Sequence, residues 1–183
     1  MLIALVLGVA LLVGALLILA ALRPGYFVVQ HSTTIEAPPD TVFALIDDFR
    51  EWASWSPWEG RDPALRREFG GAPRGRGARY AWTGRGGAGV GRMEILAATS
   101  GSEVRIALEL DAPVRFHKRV DFTLQPRGRA TQVTWSMQGM TPFKLKLLRV
   151  LHAGRASIDH DFQRGLAAMK AAAESRYTAG GIR

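Results

Sequence analysis

Residues 103–110 alternate without a break: Val104, Ile106, Leu108 and Leu110 on one side, Glu103, Arg105, Ala107 and Glu109 on the other. A period of two is the mark of a strand with one dry face. The pattern recurs along the chain. Tyr80 and Trp82 share a face, as do Met93, Ile95 and Ala97, then Val120, Phe122 and Leu124, then Val133, Trp135 and Met137. Turn-forming sequences punctuate these runs at Gly70-Gly71, 84–89, Ser100-Gly101, Ala112-Pro113 and 126–129. Connections this short cannot bring a strand back parallel to its neighbour, which takes a crossover of about a dozen residues or more. From about residue 64 the chain is therefore expected to be an antiparallel meander.

A one-faced sheet needs cover, and two segments can supply it. Near the C-terminus, Ile158, Phe162, Leu166, Met169 and Ala173 follow at spacings of four, four, three and four, giving one apolar stripe on a helix of about 20 residues. Asp159, Asp161, Arg164, Lys170 and Glu174 fall on other faces, and residues 178–183 are expected to be loose. Near the front, residues 26–36 alternate as a first strand, with Phe27, Val29, His31, Thr33 and Ile35 on one face. Pro38-Pro39-Asp40 then opens a helix, proline being tolerated in a first turn and an early carboxylate suiting the helix dipole. Val42, Phe43, Ile46 and Phe49 form its core stripe. Trp52, Trp55 and Trp58 follow at spacing three on a turn-rich segment. They are expected to fan over one side and not all to be core. Packing is the first expectation, with a cavity mouth or the membrane interface as alternatives.

This order of parts resembles the START-like superfamily (SRPBCC, polyketide-cyclase-like), and so do the phrases TIEAPPDTVFALIDDF (34–49), WSPWE (55–59), GRMEI (91–95), VDFTLQPRGRATQVTWSMQG (120–139) and DFQRGLAAMKAAAE (161–174). The resemblance spans roughly residues 30–175. It implies an α+β helix-grip fold: a curved antiparallel sheet of about six or seven strands around a long C-terminal helix, with an apolar cavity between them. The superfamily includes lipid-transfer domains, hormone receptors, polyketide cyclases and cochaperone-like domains. It shares no catalytic motif, so no catalytic residue carries over.

Residues 2–22 contain no charged or polar side chain. As a helix they would span about 30 Å, the thickness of a bilayer's hydrocarbon core. A cleaved signal peptide would want a basic start and a shorter apolar stretch of about 7–15 residues, so an uncleaved single-pass anchor is the expectation. Arg23 follows the run directly, which places the soluble domain on the cytoplasmic side by the positive-inside rule. The organisation expected is a transmembrane anchor (1–24), one globular domain (25–177) and a loose tail (178–183). The formal charge of +8 is mostly arginine. It reads as compositional bias or as attraction to anionic lipid. With no cysteine in the chain, thiolate chemistry and disulfides are excluded.

Inward parity assigns Tyr80, Trp82, Met93, Ile95, Phe116, Trp135 and Met137 to the concave sheet face, and Phe162, Leu166 and Met169 to the helix above it. These are the candidate ligand-binding residues, because aromatics and flexible thioethers suit varied apolar ligands. The same residues would serve equally as a filled core. His31 and Lys118 share the apolar parity of their strands and are the candidate polar groups of the cavity. No metal site is expected: the histidines lack His-Glu-x-x-His spacing, and Asp159, His160 and Asp161 are adjacent on a helix and diverge. No cofactor is implied either. Residues 84–89 match G-x-G-x-x-G, but a strand follows where the nucleotide fingerprint needs a helix. Residues 61–92 carry eight arginines against two acids, yet Tyr80 and Trp82 lie on the opposite parity, so nucleic acid is not an expected partner. Residues 141–155, with Phe143, Leu147, Val150 and Leu151 on one helical face and Lys144, Lys146, Arg149, His152 and Arg155 supplying charge, read as a lid or a helix on an anionic membrane surface.

The functional expectation is a membrane-tethered domain that binds a hydrophobic small molecule or lipid, with membrane lipids as its partners. A polyketide-cyclase-like enzyme is the second reading, and a stress-response or interaction module without a ligand the third. Sequence leaves the oligomeric state open.

Overall fold

The structure is a computed structural model, and it describes residues 2–22, 25–85, 88–112, 114–142 and 154–180. Helix α1 (Leu2–Leu22) is apolar throughout and almost wholly exposed. Strand β1 (Tyr26–Ile35) follows, then helix α2 (Pro39–Ile46) and a 3₁₀ helix (Phe49–Ser54). Six strands succeed them: β2 (Arg66–Gly71), β3 (Ala78–Thr83), β4 (Val90–Thr99), β5 (Glu103–Ala112), β6 (Phe116–Arg127) and β7 (Ala130–Met140). Helix α3 (Gly154–Gly180) closes the chain.

All seven strands form one antiparallel, curved sheet in the order β1-β7-β6-β5-β4-β3-β2. The meander lies in sequence order, and β1 joins it at the β7 end. Register shifts between Val90 and Gly91 and between Ile95 and Ala97 mark irregularities in the β4–β5 ladder. Such bulges bend and twist a sheet. The β6–β7 hairpin is tighter than residues 126–129 suggest. Pro126 still pairs with Thr131 as part of β6, and the chain turns at Gly128, which takes φ +63°.

The helices form as their sequences dictate. Pro39 sits in the first turn of α2, where its missing N–H costs nothing. Val42, Phe43, Leu45 and Ile46 are buried beneath it. Asp48 caps the 3₁₀ helix by accepting from the Arg50 N–H at 2.9 Å. In α3, the stripe of Phe162, Leu166, Met169 and Ala173 is buried and Ile158 is half-buried, as the spacing requires. Ordered helix runs past Tyr177 to Gly180, into the stretch expected to be loose. The Thr178 hydroxyl helps there by donating to the Glu174 carbonyl at 2.7 Å.

Helix α3 is seated over β1. Lys170 Nζ donates to the Thr34 carbonyl at 2.8 Å, and Glu174 Oε1 accepts the Glu36 N–H at 2.8 Å, just past that strand. One continuous core joins the sheet's inner face to α2, the 3₁₀ helix and α3. The basic amphipathic stretch expected over 141–155 lies mostly outside the described residues.

Candidate functional site

The tryptophan row is the local device that builds the site. Trp52 and Trp55 are each only 2 % exposed and belong to the core, while Trp58 is half-buried on a cavity wall, so not all three are core. Helix α2 ends beside them. The Trp52 indole N–H donates to the Ile46 carbonyl at 3.1 Å, and that of Trp55 donates to the Leu45 carbonyl at 2.8 Å. Two orphan carbonyls at a helix C-terminus thus find donors, and two indoles can be buried without cost in unmet hydrogen bonds.

The row stands against a second aromatic series. Phe122 of β6 and Trp135 of β7 are cross-strand partners stacked at 5.2 Å, and Phe162 of α3 stacks on Trp135 at 4.1 Å. The tryptophans meet this stack edge-on. Trp52 meets Phe122, Trp55 meets Phe122 and Trp135, and Trp58 meets Trp135 and Phe162, all at interplanar angles between 78° and 85°. Edge-to-face contacts suit the ring quadrupole and contribute about 0.5–1.5 kcal/mol each beyond burial. Gly165 lets α3 approach this closely: a Cβ there would lie 2.7 Å from Trp135 Cζ3 and 3.0 Å from Pro57 Cδ.

Beside the stack is a cavity of about 230 Å³. Six aromatic rings face it, those of Trp52, Trp58, Tyr80, Trp82, Phe116 and Trp135. Met93, Leu108, Leu110, Val120, Met137 and Ile158 add aliphatic wall, and Ser56, Glu59 and Arg61 add polar groups. Trp82 is held by an N–H donated to the Ala88 carbonyl at 2.9 Å, and it lies over Gly91, where a Cβ would come within 2.5 Å of the indole.

Of the residues anticipated for a ligand site, Tyr80, Trp82, Met93, Phe116, Trp135 and Met137 are on this wall. Ile95 is not. It is fully buried and paired with Ile106 in the closed core. Phe162, Leu166 and Met169 are also in the closed core, because α3 comes down onto the sheet and leaves no gap beneath them. Among the described part of α3, only Ile158 reaches the cavity. His31 lies off the wall: its Nε2 is 3.0 Å from Asp159 Oδ1, and its ring is 6.1 Å from that of Phe162. Lys118 is buried, and its Nζ donates to the carbonyls of Gly139 and Met140 at 3.2 and 2.9 Å while lying 4.6 Å from the centre of the Phe27 ring. Asp159 and Asp161 diverge along α3, the first to His31 and the second to Arg61.

The polar groups on the wall went unrecognised at the sequence level. Glu59 is the hub. Tyr80 donates its hydroxyl to Glu59 Oε1 at 2.6 Å, and Arg67 donates from Nε to Oε2 at 2.6 Å and from Nη2 to the Glu59 carbonyl at 2.9 Å. Burial, and then the hydrogen bond to Glu59, push the Tyr80 phenol well above the ordinary tyrosine range, so it stays protonated. The Arg67 guanidinium is raised by its bond to Glu59. At the rim, Asp62 accepts the N–H groups of Arg85 and Ala64 at 2.7 and 2.8 Å, tying the β3–β4 hairpin to the chain before β2. Those bonds, the Arg85 N–H first, hold its carboxyl below the usual range. The only signal that could have pointed to Glu59 was its place directly after the tryptophan row.

Elsewhere the arginines are spent on ion pairs: Arg79 with Glu94, Arg92 with Glu109, and Arg74 with Asp47. Tyr80 is 3 % exposed, which leaves it no free face for base stacking.

A curved sheet gripping a long helix, with an aromatic-lined hollow beside the helix, defines the helix-grip fold. The family model described as "Polyketide cyclase / dehydrase and lipid transport" matches residues 26–174, and the chain belongs to that family. Solved structures with the same fold include a protein of unknown function from Staphylococcus aureus (12 % identity, 82 % of this chain and 95 % of that one, TM-score 0.61). A Thermus thermophilus protein is also similar (18 %, 82 % and 99 %, TM-score 0.58), as is the Aha1 dimer from Colwellia psychrerythraea (12 %, 81 % and 96 %, TM-score 0.57). At these identities the likeness is one of fold. Among curated proteins, no sequence match is found. The family points to hydrophobic ligand binding in general terms.

Proposed function

We propose that this protein is a membrane-tethered carrier or receptor for a small apolar molecule held in the aromatic cavity. The observation that carries this reading is the cavity of about 230 Å³ faced by six aromatic rings. A dry hollow of about 150 Å³ suffices for benzene, so this one suits a molecule of one or two rings. It is well below the volume of a two-chain lipid, which argues for a small molecule over a phospholipid. Binding would come from apolar burial at about 25 cal/mol per Å², with one or two polar groups fixing orientation.

Helix α1 supports the tether. It is 21 residues long, has a mean hydropathy of 3.1 in its most apolar window, and is not buried by the rest of the chain. A signal sequence meets the same criteria, so the anchor is part of the proposal, as is the cytoplasmic side that Arg23 favours. Tethering would keep the cavity near the bilayer, where apolar molecules concentrate. Organic extraction of the purified full chain, followed by mass spectrometry, tests the ligand: one recurrent small species is expected, and a reproducibly empty protein counts against it. The chain lacks cysteine, so Ser175→Cys gives a single thiol for the topology. It should react with an impermeant maleimide only after cell lysis.

An enzymatic reading has one observation in its favour, a carboxylate and a phenol hydrogen-bonded on the cavity wall. Both Glu59 oxygens already accept from Tyr80 and Arg67, so the carboxylate is built to position a neighbour more than to take a substrate proton. Binding is therefore the better-supported role.

A further inference from the structure

Outside α1, the exposed large hydrophobic residues among those described are Tyr26, Val28, Phe69, Leu96, Met140 and Tyr177. Half of them share one corner of the sheet. Tyr26 and Val28 stand on the outer face of β1, 54 % and 46 % exposed, and Met140, 68 % exposed, is the cross-strand partner of Tyr26 on β7. Exposed apolar side chains scattered singly are ordinary, whereas a cluster marks a surface that meets something. The corner is firmly built. The Thr141 N–H donates to the Gly25 carbonyl at 2.8 Å, and the Tyr26 hydroxyl donates to Gln138 Oε1 at 3.0 Å, which pins the end of β7 beside the start of β1.

Chain length says what lies opposite. Four residue steps separate Leu22, the last residue of α1, from Tyr26. Fully extended, they reach at most about 14 Å. With α1 across a bilayer, whose interfacial layer is about 5–8 Å thick on each side, Tyr26 stays at or just above the headgroups, and Met140 goes with it. Tyrosine is favoured in that layer, where its ring meets apolar chains and its hydroxyl meets water. The inner side of the same strand ends belongs to the cavity. Met137 of β7, Phe116 at the start of β6 and its cross-strand partner Leu110 near the end of β5 all line the hollow.

Resting on the tether reading above, we infer that the corner formed by Tyr26, Val28 and Met140 is a membrane-docking surface, seated in the interfacial layer of the bilayer that holds α1. Docking there brings the Phe116–Leu110 end of the cavity close to the lipid, the phase in which an apolar ligand is concentrated.

The chain has no cysteine, so single thiols can be placed at will. Val28→Cys, Met140→Cys, Leu96→Cys and Arg129→Cys of the full chain each take a nitroxide label in lipid nanodiscs. Leu96 is an exposed apolar residue of β4, three strands beyond β7, and Arg129 is exposed in the β6–β7 turn, at the opposite end of β7 from Met140. Power-saturation EPR compares collisions with oxygen, which concentrates in lipid, and with a water-soluble nickel chelate. Labels at 28 and 140 should show an oxygen-to-nickel ratio several-fold above those at 96 and 129, and Tyr26→Glu should bring the ratio at 140 down toward theirs. A ratio at 140 no higher than at 129 overturns the docking surface. So does a high ratio that Tyr26→Glu leaves unchanged, since the label then inserts by itself. Dipolar broadening between labels at 140 overturns it in favour of a second copy of the chain. Alkaline carbonate decides the tether separately: release of the chain from membranes overturns both readings, and retention leaves the tether standing whatever the labels show.

Discussion

The two ends of the sheet follow one rule of patterning and come to opposite ends. Where α3 and α2 cover the sheet, the alternating apolar residues are packed solid: Ile35, Val133, Phe122 and Phe162 are fully buried, and Trp135, at 1 % exposed, marks the border with the hollow. Across β3–β5 the inner face is lined by residues of the same kinds, yet Trp82, Leu108 and Leu110 remain half-buried around a hollow, and the edge strand β2 is exposed along its length. The difference is one of cover. Helix α3 is seated on β1 and hydrogen-bonds to it. Over the hollow, among the described residues, the covering groups come from the chain around Trp58–Arg61, from Leu65 and from Ile158 of α3. One part of the sheet is packed solid and another leaves a hollow.

Substitutions can separate the two ends. Phe162→Ala, in the packed end, should cost about 3–5 kcal/mol, read by chemical denaturation, because it removes a ring from a site with little room to collapse. Gly165→Ala should follow. Alanine gains about 1 kcal/mol in helix propensity, but the new methyl would strike Trp135 and Pro57. A net loss of about 1–2 kcal/mol is expected from overpacking, and a gain would show that α3 is not pressed onto the stack. Leu110→Ala, on the hollow side, should cost only about 1 kcal/mol, since it enlarges an existing space, while weakening aromatic ligands several-fold in calorimetry. Equal destabilisation by Leu110→Ala and Phe162→Ala would erase the contrast.

The smallest effect is expected at Tyr80→Phe, which removes a donor to Glu59 for up to about 1 kcal/mol near neutral pH. Its signature is pH dependence. The folded phenol holds its proton above the ordinary tyrosine value of 10, whereas the unfolded chain releases it near pH 10. Its contribution is therefore complete below pH 10 and is lost as pH rises through the folded value. Wild-type stability should fall more steeply than that of Tyr80→Phe above about pH 10. Phenolate absorbance of the two native proteins should coincide to about pH 11.

Much of the architecture was legible because it rests on local rules. The strand alternation placed β3 to β7 of the meander but not β2, which is exposed on both faces, and the four-four-three-four stripe in 158–173 gave the buried side of α3. The cavity was half legible. Parity placed Tyr80, Trp82, Met93, Phe116, Trp135 and Met137 on the inner face, and all six reach the hollow. Parity put Ile95 there too, and helical spacing turned Phe162, Leu166 and Met169 toward it, but neither period could show that α3 would close onto the sheet at these residues. His31 and Lys118 had inward parity but found partners in Asp159 and in the Gly139 and Met140 carbonyls. Glu59 and Ser56 belong to an irregular segment with no period to read.

While the place of β1 beside β7 came from the tertiary structure, the sequence by itself determined the antiparallel meander, the buried stripe of the long helix and the apolar run at 2–22. Each follows from side-chain direction along a single segment, which a period of two or of 3.6 records. Only the tertiary structure decided which apolar residues face a neighbour and which face a space. Those outcomes depend on the distance between elements far apart in the chain, and here that distance was set by sheet curvature and by the absence of a side chain at Gly165.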